Sequence, residues 1–120
     1  MLKNMFDKQE TLMERYLEND SNFPEWPIDL KSKQHQKFVR DVLLNCSEEI
    51  FEALRHFKNW KPHRKTEITN FDHDEFLEEM VDAFKFFTEA LIMCGVTAED
   101  FLHAYNTKDS KCHKRLDDGY

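Results

Sequence analysis

Across 120 residues the chain has only two glycines, Gly95 and Gly119, and three prolines, Pro24, Pro27 and Pro62. The tight turns of a many-stranded sheet draw heavily on glycine, so this scarcity excludes most β architectures. Long helices joined by few connections are what remains. The length fits a single domain over residues 1–120, one that buries roughly two-thirds of its unfolded surface.

Apolar periodicity supports the same fold class. Leu2, Met5, Phe6, Leu12, Met13, Tyr16 and Leu17 recur at helical intervals and predict a first helix over about residues 2–18, with Gln9 on or beside its apolar stripe. Asn19 to Asp29 holds two prolines and many turn formers, so it reads as a loop tethered by Phe23 and Trp26. Phe38, Val39, Val42, Leu43, Cys46, Ile50, Ala53, Leu54 and Phe57 predict a second helix over about 33–58. Trp60 to Asn70 lacks a period and reads as a loop with basic character. Asp72 followed by Glu75 has capping-box spacing ahead of Phe76, Leu77, Met80, Val81, Phe84, Phe87 and Leu91, a third helix that ends at Gly95. Thr97 with Asp100 caps a fourth, running to about Arg115.

Charge and cysteine usage narrow the function classes. A formal charge of −7, from 24 acidic against 17 basic residues, opposes broad binding to a nucleic-acid backbone, which calls for excess Lys and Arg. No run is long and apolar enough for a membrane span, and the opening MLKNMFDKQE lacks signal-peptide character, so a cytoplasmic protein with no membrane partner is expected. Cys46, Cys94 and Cys112 are odd in number and form no CxxC pair, which suits free thiols rather than a disulfide framework or a zinc knuckle.

The chemistry lies in the acidic residues of the two central helices. Glu49 and Glu52 project about 60° apart on one side of the second helix, and Glu79 and Asp82 repeat that step inside the apolar third helix. Antiparallel packing lets the two pairs face each other and present four hard oxygen ligands of the kind Mg²⁺ or Mn²⁺ takes. The plainer alternative is a solvated acidic stripe, on which Asp82 would pair with Lys85. Trp60 has two readings, stacking on a base or covering the core, and core packing is the commoner use of such a residue. For His56, His63, His73 and His103, which show no ligand spacing, solvated or structural roles are expected.

The order EExxE, here Glu48 to Glu52, followed by ExxD, here Glu79 to Asp82, resembles the all-α nucleoside triphosphate pyrophosphatase superfamily, which includes MazG-like enzymes and dimeric dUTPases. The closer similarity is to phage dCTP/dUTP pyrophosphatases and dimeric dUTPases, through Glu79-Met-Val-Asp82-Ala-Phe-Lys-Phe-Phe87, Gly95-Val-Thr-Ala-Glu-Asp100 and Trp60-Lys61-Pro62. The C-terminal pattern K-x-x-x-N-x-x-R-Q-x-x-G-Y is kept at Lys108, Arg115, Gly119 and Tyr120, while Cys112 and Leu116 replace its Asn and Gln. The similarity covers about residues 40–120, with the first helix matching loosely through Met5, Gln9 and Leu12.

This resemblance implies a four-helix, bundle-like all-α fold, cleavage between the α- and β-phosphates, and Mg²⁺ (or Mn²⁺) held by Glu49, Glu52, Glu79 and Asp82. It implies Glu48, with Glu49, in the catalytic set, with Glu48 orienting or deprotonating the water. Lys108 and Arg115 would hold the distal phosphates, Tyr120 would assist them, and Gln9 would meet the pyrimidine edge. Trp60, Lys61 and Cys112 complete the implied substrate contacts. The expected activity is a pyrimidine deoxynucleoside triphosphate pyrophosphohydrolase acting on dUTP, dCTP or both. Eleven phenylalanines, more than a small helical layer readily buries, favour a homodimer. The rival is a nucleotide-binding or interaction protein of the same fold whose catalysis was weakened or lost through Cys112 and Leu116.

Overall fold

A computed structural model describes residues 1–68 and 70–119. Four helices follow in order, α1 (Leu2–Asn19), α2 (Lys33–Leu54), α3 (His73–Met93) and α4 (Ala98–Asp117), and no strand occurs among the described residues. None of the described helices is long and apolar enough to cross a membrane.

The ends of the helices follow from local chemistry. The Ser32 hydroxyl accepts from the His35 amide at 3.2 Å to open α2, and the Asp72 carboxylate accepts from the Glu75 amide at 3.0 Å to open α3. Both arms of a capping box close at Thr97 and Asp100, each at 3.1 Å, satisfying amide donors at the start of α4. After α3, the Val96 amide donates to the Leu91 carbonyl at 3.0 Å and the Gly95 amide to the Ile92 carbonyl at 2.9 Å. That pair of bonds is a Schellman end, and it requires the left-handed backbone that Gly95 adopts at φ 79°. A Cβ there would also stand 3.3 Å from the Pro27 side chain.

α2 ends at Leu54, a turn earlier than the apolar period indicates. Arg55, His56 and Phe57 instead donate to carbonyls three residues back, at 3.1–3.2 Å. This tighter winding carries Phe57 onto Phe71 and Phe76, with ring centroids 5.1 and 5.2 Å away. Phe57 is therefore apolar for a reason other than helix continuation.

The chain divides into two compact units, Met1–Ile28 with Leu91–Tyr120, and Asp29–Ala90. In the first, α1 packs against α4, and Phe6, Gln9 and Met13 form the buried stripe of α1. The connection after α1 is fastened as its aromatic residues suggest. Trp26 Nε1 donates to the Glu10 carboxylate at 2.8 Å, Phe23 meets Tyr16 at a tilt and Trp26 edgewise, and the Ile28 amide donates to the Met93 carbonyl at 2.9 Å.

In the second unit, α2 and α3 run antiparallel. Partners on α3 fall in number as those on α2 and the turn after it rise, from Cys46 at the Phe87 backbone, through Glu49 beside Asp82 and Glu79, to His56 against Glu79 and Phe57 against Phe76. Val42, Cys46, Ala53, Ala83 and Ala90 are buried. Leu77, Met80, Val81 and Phe84, spaced as one face of α3, stay exposed, as do Leu43, Leu44, Ile50, Phe51 and Leu54 on α2.

Glu89 is only 5% exposed, and burial lifts its carboxyl from 4.5 to about 7. The folded chain thus holds this proton more tightly than the unfolded chain, so stability falls as pH rises from about 4.5 to about 7 and the loss is complete above that range. Glu89→Gln should flatten this slope and raise the melting temperature at pH above the window. The gain has a ceiling of about 3 kcal/mol, read from denaturant melts of both proteins across pH.

Candidate functional site

The antiparallel register of α2 and α3 determines which acidic side chains meet. Glu49 and Glu52 leave α2 one three-residue step apart, and Glu79 with Asp82 does the same on α3. The Glu49 carboxyl is half-buried and lies above the ordinary glutamate range. Loss of water around it is the largest cause. The charge and shared hydrogen bond of Glu52 follow, then the charges of Asp82 and Glu79. The other three acidic groups named from their spacing therefore all act on Glu49, as a solvated stripe would not require. Among the described residues Asp82 makes no ion pair with Lys85, whereas His56 pairs with Glu79.

Such a group repels itself unless a cation or protons enter it. The donors are carboxylate oxygens, suited to a hard divalent ion such as Mg²⁺ or Mn²⁺. Cys46, one turn before Glu49 on α2, is not a competing soft ligand, because it is buried and its thiol is pushed up by that burial. The residues present fit Mg²⁺.

Glu48 projects about 100° round the helix from Glu49, is exposed, and is not among the groups that raise Glu49. The structure brings in a residue that spacing did not single out. His56 Nε2 lies 2.9 Å from Glu79 Oε2, with both side chains largely covered. Ligand atoms of His56, Glu75 and Glu79 lie within 4.8 Å of one another, with Glu75 exposed. The sequence signal was the one-turn step from Glu52 to His56, but its meaning needs the register of α3.

Trp60 does not cover the core. It is 69% exposed, with Lys61 Nζ 5.5 Å from its ring centroid, because the segment after α2 lacks the apolar period that would draw the indole inward. Lys108, Cys112 and Arg115 lie on one face of α4 at helical spacing and are exposed. They belong to the first unit, as does Gln9, whereas the four carboxylates belong to the second. Gln9 is 4% exposed and its Oε1 has no hydrogen-bond partner among the described residues. Tyr120 lies outside the described residues.

Comparison of the chain with family models, with curated proteins and with solved structures gives no match.

The repulsion has a measurable sign. In metal-free protein the raised Glu49 carboxyl makes stability fall as pH rises from 4.5 toward its raised value. Glu49→Gln should melt higher than wild type in EDTA at neutral pH and lose that part of the slope. Millimolar Mg²⁺ should stabilise the wild type through linkage and the variant less. Equal melting temperatures in EDTA, with equal gains from Mg²⁺, would mean that Glu49 sits on a solvated face.

Proposed function

We propose that this protein is a Mg²⁺-dependent pyrimidine deoxynucleoside triphosphate pyrophosphohydrolase, converting dUTP, dCTP or both to the monophosphate and pyrophosphate. The observation that supports it most is the meeting of Glu49, Glu52, Glu79 and Asp82 across two antiparallel helices. Carboxylates from two helices gathered round Glu49, whose proton affinity they raise, are a costly arrangement without a cation, and a triphosphate is a substrate that brings Mg²⁺ with it.

In this reading the four carboxylates hold Mg²⁺, with Mn²⁺ as a substitute. When bound, such an ion would supply a more acidic water and offset charge developing on the phosphates. By the resemblance Glu48, with Glu49 in the same catalytic set, would orient or deprotonate the attacking water from the exposed side of α2. The resemblance assigns the distal phosphates to Lys108 and Arg115, the latter through its fork of donors, with Cys112 and Tyr120 nearby in the same motif. The exposed indole of Trp60, with Lys61, offers a stacking face for a base. The resemblance gives the pyrimidine edge to Gln9, whose amide can both donate and accept.

A homodimer belongs to the same proposal. The apolar side chains left uncovered on α2 and α3 lie at helical spacing on each helix, and a second copy would remove them from water.

The test is product analysis across the common deoxynucleoside triphosphates with Mg²⁺. Pyrophosphate and a monophosphate should form from dUTP or dCTP, and Asp82→Asn or EDTA should abolish turnover. Stoichiometric orthophosphate would overturn the mechanism. Nucleotide bound but not consumed would instead favour the binding-protein reading, for which Cys112 and Leu116, both exposed on α4 where the related motif has Asn and Gln, are the reason.

A further inference from the structure

We propose that His56 is a positioning residue for Glu79, fixing that carboxylate so that one oxygen is held by the imidazole and the other is left for a divalent cation. The inference rests on the carboxylate-site reading above. It adds a residue that neither the acidic motifs nor their spacing includes.

The geometry supports it in three ways. His56 is two residues beyond the end of α2, in a turn fixed by its own amide donating to the Ala53 carbonyl at 3.2 Å and the Phe57 amide donating to the Leu54 carbonyl at 3.1 Å. Its ring is walled edgewise by Phe71 and Phe76, with centroids 6.2 and 6.5 Å away. Its Nε2 is 2.9 Å from Glu79 Oε2, and the two side chains are 15% and 17% exposed.

Each feature has a consequence for Glu79. A backbone-fixed turn and an aromatic wall leave the imidazole few orientations, so the hydrogen bond confines the carboxylate as well. Shielding from water strengthens that bond, because solvent competes less for either partner. With Oε2 engaged by an N–H, Glu79 presents Oε1, and a ligand whose rotamer is set before the cation arrives loses less freedom on binding it.

A merely structural role would be different. If the pair only fastened the end of α2 to α3, removing the imidazole would lower stability and leave cation affinity unchanged. Hydrogen-bond partners of metal ligands typically alter affinity by about 10–100-fold when removed.

The experiment is Mn²⁺ binding to the full chain without nucleotide, followed by the electron paramagnetic resonance signal of free Mn²⁺. His56→Phe keeps the aromatic packing and removes the donor, whereas His56→Gln keeps an N–H donor with similar reach. Mn²⁺ affinity should fall about tenfold or more in His56→Phe and return close to wild type in His56→Gln, with unchanged far-ultraviolet circular dichroism. Should His56→Phe fail to fold, His56→Gln is compared with His56→Asn, whose amide is one carbon short and should bind Mn²⁺ more weakly. Wild-type affinity in His56→Phe, or equal affinity in the Gln and Asn variants, overturns the proposal and leaves the carboxylate site standing. A wild-type protein that binds no Mn²⁺ overturns both.

Discussion

The crowding of like charges between α2 and α3 is the constraint around which the second unit is organised. Glu49 loses water on folding and faces Glu52, Asp82 and Glu79, so every part of that meeting opposes the folded state until a proton or a cation intervenes. Other contacts must hold the helices together there. Beyond the carboxylates, Phe57, Phe71 and Phe76 pack with centroids 5.1–5.5 Å apart, each pair contributing about 0.5–1.5 kcal/mol beyond its buried area. On the other side Cys46 is buried and meets the Phe87 backbone. Apolar packing thus flanks the acidic residues on both sides.

The same unit shows what is left when charge takes part of an interface. Leu77, Met80, Val81 and Phe84 lie on one face of α3 and remain exposed, and Phe51 on α2 is 62% exposed. An isolated exposed leucine needs no explanation, but a periodic apolar face does. On the proposed reading, that face is the surface a second copy of the chain would cover.

Much of the fold was legible because helix signals are local. Thr97 with Asp100 and Gly95 after an apolar run are short patterns whose hydrogen bonds form within a few residues, and those bonds are present. The end of α2 was not legible. Phe57 continues the apolar period, and only Phe71 and Phe76, distant in sequence, reveal that it packs from a tighter turn. Trp60 failed as a core residue for a related reason, since composition says that indoles are usually covered but not which segment has a surface to cover them. The helical spacing of the four acidic positions was readable on each element. Their meeting, and the place of His56 beside Glu79, depend on the register between helices, which no single helix encodes. The orphaned Oε1 of Gln9 is likewise a property of packing, although its place on the apolar stripe of α1 hinted at burial.

The central claim is that these carboxylates share one electrostatic site, and the titration of Glu49 addresses it most directly. Carbon-13 nuclear magnetic resonance of the labelled Glu49 side chain in metal-free protein should give a midpoint above the ordinary 4.5. In Asp82→Asn the midpoint should move part of the way back, since desolvation persists while one neighbouring charge is gone, and in wild type Mg²⁺ should drive it down. A midpoint at 4.5, indifferent both to Asp82→Asn and to Mg²⁺, would contradict the account.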